Sequence, residues 1–437
     1  MTMLSRRNAL HATLFGAGCL GLRALATGLP LSFLSNPRRA LAAPVPCAPD
    51  KAQYVIFNTS GDGDSINASA PGTYDDPMIV HSPDPALAPK PLTIGGRVYQ
   101  AGAPWAALPP AVLDRMVFWH VMTGTSVHPN EPEVLKLMGA TPGGEMFPSL
   151  LAKQLAPCLG TVQQQPISVG ALAPSESLVY AGAPLPVVPA LALKATLTNP
   201  AGPLTALQSL RDSTLDRLYG LYKNQASRAQ RQYIDALVTS QKNVRSIRQE
   251  LLSALSSIRD NSAASQLTAA IALIQMNVTP VVSVHIPFGG DNHEDPGLVR
   301  ETAETLSGVA LLGSMMEQLA RAGLTDKVTF LSLNVFGRSL GADSLKGRQH
   351  NGNHQVSLAI GKPFRGSVIG AVMGGVETDF GATPIDSKSG AGVAAGDILA
   401  ADTLAAFAQT ASAAVGADPA LITSPRGTAK VLPSALA

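Results

Sequence analysis

Carboxylates, imidazoles and hydroxyls gather in four short stretches of this chain, each beside a run of apolar residues. "SGDGDS" holds Asp62 and Asp64, and "TGTSVHP" holds Thr123, Thr125, Ser126 and His128. "GGDNHED" holds Asp291 and His293, and "FGRSLGADSLKGRQHNGNH" holds Arg338, Arg348, His350 and His354. A donor set mixing carboxylate oxygen with imidazole nitrogen suits zinc, manganese or iron, whereas calcium asks for oxygen alone. Thr125 and Ser126 are candidate nucleophiles, and Arg338 and Arg348 are candidate clamps for an anionic group. Each stretch also has a plainer reading. Asp62 and Asp64 flank a glycine in a turn, Thr125 and Ser126 could cap a helix, and His354 opens a strand and reads as structural.

The elements that must position these residues are legible as apolar runs between turn signals. Strands are expected over Tyr54 to Phe57, 116–122, 281–287, 327–334, 354–361 and 366–372. Pro132 and Glu133 suit the start of a short helix that stops at Gly139. Asp295 and Pro296 look like the N-cap and first residue of a helix ending at Gly323, and a last helix covers 396–416. Strands alternating with helices predict a three-layer α/β fold: a mostly parallel sheet with helices on both faces. In such sheets ligands sit beyond the carboxyl ends of the strands, so one edge would gather all four stretches. Between them lie a Pro-rich segment at 157–203, with β-like pieces such as "ISVGALAP" and "LALKATLT", and a helical insertion at 204–276. In the insertion, apolar residues such as Val244, Ile247, Leu251 and Leu255 recur at helical spacing.

The chain has 437 residues, 46% of them hydrophobic, which is enough for a sizeable core. Ser5-Arg6-Arg7 precedes a weakly apolar stretch, and Arg38-Arg39 leads to Ala40-Leu41-Ala42. This resembles a twin-arginine export signal over residues 1–42, too short and broken for a permanent membrane anchor. The mature domain would then be 43–437. Without the five arginines of residues 1–42, 27 basic residues face 30 acidic ones, a net charge of −3 that gives no footing for nucleic acid. In an oxidising compartment Cys47 and Cys158 could pair, or they could be unrelated thiols. No G-x-S-x-G elbow follows a strand, and no phosphate-binding glycine loop is present.

The order of the motifs "SGDGDSINASAP", "GGDNHED", "FGRSLGADSLKGRQH", "GSVIGAV" and "ILAADTLAAFAQTASAAVGADP" resembles the exported "domain of unknown function 1501" family, relatives of sulfatases and alkaline phosphatases. The likeness covers 278–417 well and 52–141 in patches, and does not extend over 142–277. It implies an alkaline phosphatase/sulfatase-like fold and metal ligands at Asp64, Asp291, His293 and His350. One metal position would use Asp291, His293 and His350. A second would use Asp64, the nucleophile's oxygen and a glutamate before Phe336, where this chain has Val335. The family's aspartate before the last histidine is Gln349 here. Valine offers a cation no ligand, so one divalent ion (zinc, manganese or iron) is expected rather than two. The resulting expectation is a periplasmic or secreted protein with a reduced metal site, weakly catalytic or non-catalytic, serving in binding or assembly with an envelope protein partner. The alternative is a metal-dependent hydrolase of small anionic phosphate or sulfate esters, with Thr125 or Ser126 as nucleophile.

Overall fold

The structure, a computed structural model, describes residues 48–170, 177–198, 208–228, 249–374 and 379–437, with scattered positions between 230 and 239. The expected export signal and Cys47 lie outside the described residues. Cys158 stands in a disulfide.

Seven strands form the central sheet: β1 (Tyr54–Ser60), β2 (Met116–Val121), β3 (Ile167–Ser168), β4 (Val281–Val284), β5 (Val328–Asn334), β6 (Gln355–Ile360) and β7 (Ser367–Ile369). Their spatial order is β7-β2-β6-β5-β1-β4-β3. Every pairing is parallel except those of β6, which runs antiparallel to both β2 and β5. The sheet is therefore mostly parallel, as the alternation of elements predicts. The reversed strand matters for function. The start of β6 lies where β1, β2, β4 and β5 end, so residues just before β6 reach the same edge as residues just after the others.

Both faces of the sheet are covered, because side chains on a strand alternate sides. Val55 and Phe57 of β1 join one apolar core while Ile56 joins the other, and Val117 and Trp119 of β2 part from Phe118 in the same way. One core is completed by helices α1 (Phe147–Leu159) and α7 (Thr403–Val415). The other is completed by α2 (Ala190–Thr198), α4 (Gln249–Ser257), α5 (Ala263–Gln275) and α6 (Val299–Arg321). Each fully buried Leu, Ile or Phe in these layers contributes about 1.5–3 kcal/mol. Among the described residues, no helix is long and apolar enough to cross a membrane.

Helix ends follow local chemistry. Asp295 and Pro296 head a short 3-10 turn, Pro296–Leu298, before α6 begins at Val299. The Asp295 carboxylate accepts from the amides of Arg300 and Glu301, both at 2.9 Å. α7 closes on Gly416 at φ 84°, a left-handed position that suits glycine. One expectation is corrected. "LALKATLT" is not β-like: it lies in α2, where Ala, Leu and Lys favour helix and Pro189 stands just ahead. Within the stretch read as an insertion, α3 (Gln208–Gln225) carries exposed Leu218, Leu221 and Tyr222, while α5 is a core helix with Leu267, Ala270 and Leu273 fully buried.

Candidate metal centre

Three loops meet at the edge of the sheet just described. His128 opens a 3-10 turn after β2, and Asp291 and His293 follow β4. Arg338 follows β5 in a two-stranded ribbon, Gly337–Arg338 against His350–Asn351, and that ribbon leads into β6. Their convergence places ligand-capable atoms of His128, Asp291, His293 and His350 all within 4.8 Å of one another.

The hydrogen bonds around this cluster decide which nitrogens face inward. Nδ1 of His128 lies 2.7 Å from the Gly61 carbonyl, and Nδ1 of His350 lies 2.6 Å from the Ser126 carbonyl. Nδ1 of His293 lies 3.0 Å from Oε1 of Gln349. A carbonyl oxygen only accepts, so each Nδ1 carries the proton and each Nε2 presents a lone pair. Those lone pairs point at one another and at a carboxylate. His293 Nε2 is 2.6 Å from His350 Nε2 and 3.3 Å from Asp291 Oδ1, and His128 Nε2 is 3.7 Å from Asp291 Oδ2. Two facing nitrogen lone pairs repel unless a cation lies between them. Donors held about 2.0–2.1 Å from a zinc ion at tetrahedral angles stand roughly 3.4 Å apart. Two of the three gaps are near that value, and the third needs to widen by less than about 1 Å. The cluster could hold a metal ion.

Apolar and charged neighbours fix the ligands. The buried ring of Phe336 stacks on His350 at 4.3 Å between centroids and meets His128 edge-on at 5.0 Å. Arg338 donates from Nη2 to Asp291 Oδ1 at 3.1 Å. Partial burial alone would raise the Asp291 carboxyl, but the Arg338 charge and hydrogen bond, with His128 and His293, bring it below the usual range. The His350 imidazole is lowered to about 4. Burial is the main cause and the nearby Arg338, His128 and His293 add to it, against the opposing hydrogen bond to Ser126. It is therefore neutral near pH 7, as a ligand must be.

Of the residues singled out in the sequence, Asp291, His293 and His350 come together, and His128 joins them from the hydroxyl-rich loop. Asp64 stands outside the four. It is almost fully buried, and its Oδ1 accepts from the amides of Phe288 and Gly290 at 3.0 and 3.1 Å. Burial raises its carboxyl above the ordinary value, although His285 and those two amides pull the other way. Val335 is fully buried in the apolar core beneath.

The two arginines are placed differently from anion clamps. Arg338 is fully buried and donates to the carbonyls of Gly63, Asp62 and Arg348 besides Asp291. Arg348 is equally buried and grips Glu301 with two hydrogen bonds, at 2.5 and 3.1 Å, while donating to the carbonyls of Ser339 and Val80. Thr125 is nearly buried, with its hydroxyl accepting from Asn130 Nδ2 at 2.7 Å. Ser126 is exposed, and its backbone carbonyl, not its hydroxyl, touches His350. The signal for His128 was its position just after a strand, shared with Asp291 and His293.

His354 sits apart from the cluster in a fully buried pair with His120, Nε2 to Nδ1 at 2.9 Å. Asn67 supports it from the other side. Compared with known proteins, the chain matches no family model and no curated sequence.

Proposed function

We propose that the mature chain is an exported, sulfatase-like metalloprotein that holds one transition-metal ion at His128, Asp291, His293 and His350. Its role is binding or assembly in the cell envelope rather than two-metal ester hydrolysis. The convergence of three imidazole lone pairs on one carboxylate carries this reading. Zinc fits the nitrogen-rich donor set, and manganese or iron is chemically allowed. The disulfide at Cys158 is in keeping with an oxidising compartment. Against a second metal stands Val335, an apolar side chain that offers a cation no ligand. Two-metal phosphoryl chemistry needs both positions.

A hydrolase reading, with Thr125 or Ser126 attacking a small anionic phosphate or sulfate ester, draws on one observation. The exposed Ser126 lies beside the ligand His350. When bound, the ion would polarise the ester oxygen. Dialysis of the purified chain against zinc, followed by elemental analysis, separates these possibilities. One equivalent is expected in the wild type and none in His293→Ala. Two tightly held equivalents, or none in the wild type, would overturn the mononuclear centre. No turnover of aryl phosphate or aryl sulfate is expected, and turnover that vanishes in Asp291→Ala would establish the hydrolase instead.

A further inference from the structure

Three acceptors fix the three imidazoles, and two of them, the carbonyls of Gly61 and Ser126, belong to the backbone. The third is a side chain. Gln349 is exposed, and its backbone is pinned on both sides by Ser339. Its amide donates to Ser339 Oγ at 2.9 Å, and its carbonyl accepts from the Ser339 amide at 2.8 Å. With the backbone fixed, the amide group reaches His293 Nδ1 at 3.0 Å. His293 sits on a loop after β4, and Gln349 sits on the ribbon before β6, so this bond also joins the two loops that supply neighbouring ligands.

We infer that Gln349 is a positioning residue of the metal centre: its Oε1 holds the His293 ring so that Nε2 faces the ion. This rests on the cluster's binding a metal. The physical basis is general. A metal-bound histidine is oriented by the acceptor on its other nitrogen, and removing such a partner weakens affinity roughly 10–100-fold. Gln349 occupies the position where the family resemblance implies an aspartate. Here the residue contributes to the centre through His293.

The alternatives differ in the direction of one hydrogen bond. If Gln349 accepts, His293 carries its proton on Nδ1 and can ligate through Nε2. If the amide nitrogen donates, the proton sits on Nε2 and His293 cannot ligate. Glutamate can only accept and leucine can do neither. The test compares wild type, Gln349→Leu and Gln349→Glu by zinc titration against a chromophoric chelator and by the visible absorption of the cobalt-loaded proteins. Gln349→Leu should bind zinc roughly 10–100-fold more weakly at unchanged stoichiometry, with a shifted cobalt band. Gln349→Glu should bind as tightly as wild type or more tightly and keep the wild-type band. Equal affinity in all three, or Gln349→Glu falling to the level of Gln349→Leu, would overturn the role of Gln349 and leave the metal centre standing. Failure of the wild type to bind zinc would overturn both. Because Gln349 is exposed, the metal-free variants should melt with the wild type, which separates positioning from folding.

Discussion

Two groups of histidines lie at the same edge of the sheet and are wired in opposite ways. In the buried pair, His120 Nε2 donates to the Pro71 carbonyl, His354 Nε2 donates to His120 Nδ1, and Asn67 Nδ2 donates to His354 Nδ1. Donors and acceptors run head to tail, and no ring nitrogen is left over. In the cluster of His128, His293 and His350 every Nδ1 proton points outward to an oxygen, so three lone pairs remain and face one centre. The residue type is the same, and the burial differs in the direction opposite to a simple rule: the more buried pair is the self-satisfied one. The direction of the second hydrogen bond, rather than the number of imidazoles, separates a ligand set from a structural pair.

The largest effect that would sharpen this contrast is on acid stability. Burial lowers His120 to about 4, against which the Pro71 hydrogen bond works, and burial followed by the neighbouring His120 puts His354 well below its ordinary value. In the unfolded chain both titrate near 6.5. Above that pH both states are neutral and the contribution to stability is complete. As pH falls from 6.5 towards 4, the unfolded chain gains protons that the folded pair refuses, so stability falls. His120 alone should account for about 3 kcal/mol of loss by pH 4. Chemical denaturation of metal-free protein across this range should show that slope, and His120→Leu,His354→Leu should show a shallower one, the remainder coming from groups such as His350 that burial also lowers. Equal slopes would mean that the pair is not held neutral. A smaller effect is expected from His354→Leu at pH 7.5, where His120 Nδ1 loses its donor. An orphaned buried acceptor costs about 1–3 kcal/mol. The same variant should keep its single zinc. Loss of zinc there would erase the distinction between the two groups.

Much of the frame was readable because strands of this sheet are short apolar runs bounded by glycine-rich turns. The direction of β6 was not, because nothing in "QVSLAI" encodes whether its neighbours run with it or against it. That one reversal delivers His350 to the ligand edge. α2 hid in a proline-rich setting where Leu, Ala and Thr looked extended. Asp64 and His128 were equally polar residues after equally apolar strands. Only the fold shows that Asp64 turns to the Phe288 and Gly290 amides while His128 turns to the cluster. Arg338 and Arg348 looked like anion clamps because exposure cannot be read from a loop sequence, and both are instead buried struts. Gln349 looked like a lost ligand, since its use depends on a ring supplied by residue 293.

A further test concerns how the two ligand loops are joined. Gly347 has φ 128°, and a Cβ added there would lie 2.0 Å from the His293 carbonyl oxygen and 2.7 Å from that of Asn292. The loop before His350 therefore packs directly on the backbone that carries His293, and the Arg348 amide bonds to the Asn292 carbonyl at 3.0 Å. Gly143 offers a control. Its φ is 62° and ψ 16°, a left-handed position, whereas Gly347 at ψ 153° lies in a region open essentially to glycine alone; an added Cβ at Gly143 would meet nothing within 4 Å. Gly143→Ala should cost about 1–2 kcal/mol of backbone strain and leave zinc affinity untouched. Gly347→Ala carries at least as much backbone strain and must also push the loops apart, moving His350 away from His293. Its zinc affinity should drop, by less than removal of a ligand would cause, while its stability in the metal-free state falls by about 1 kcal/mol or more beyond Gly143→Ala. If the two alanine variants bind zinc alike, loop contact at residue 347 does not set the spacing of the ligands, and the hydrogen bonds to Gln349 and Ser126 suffice.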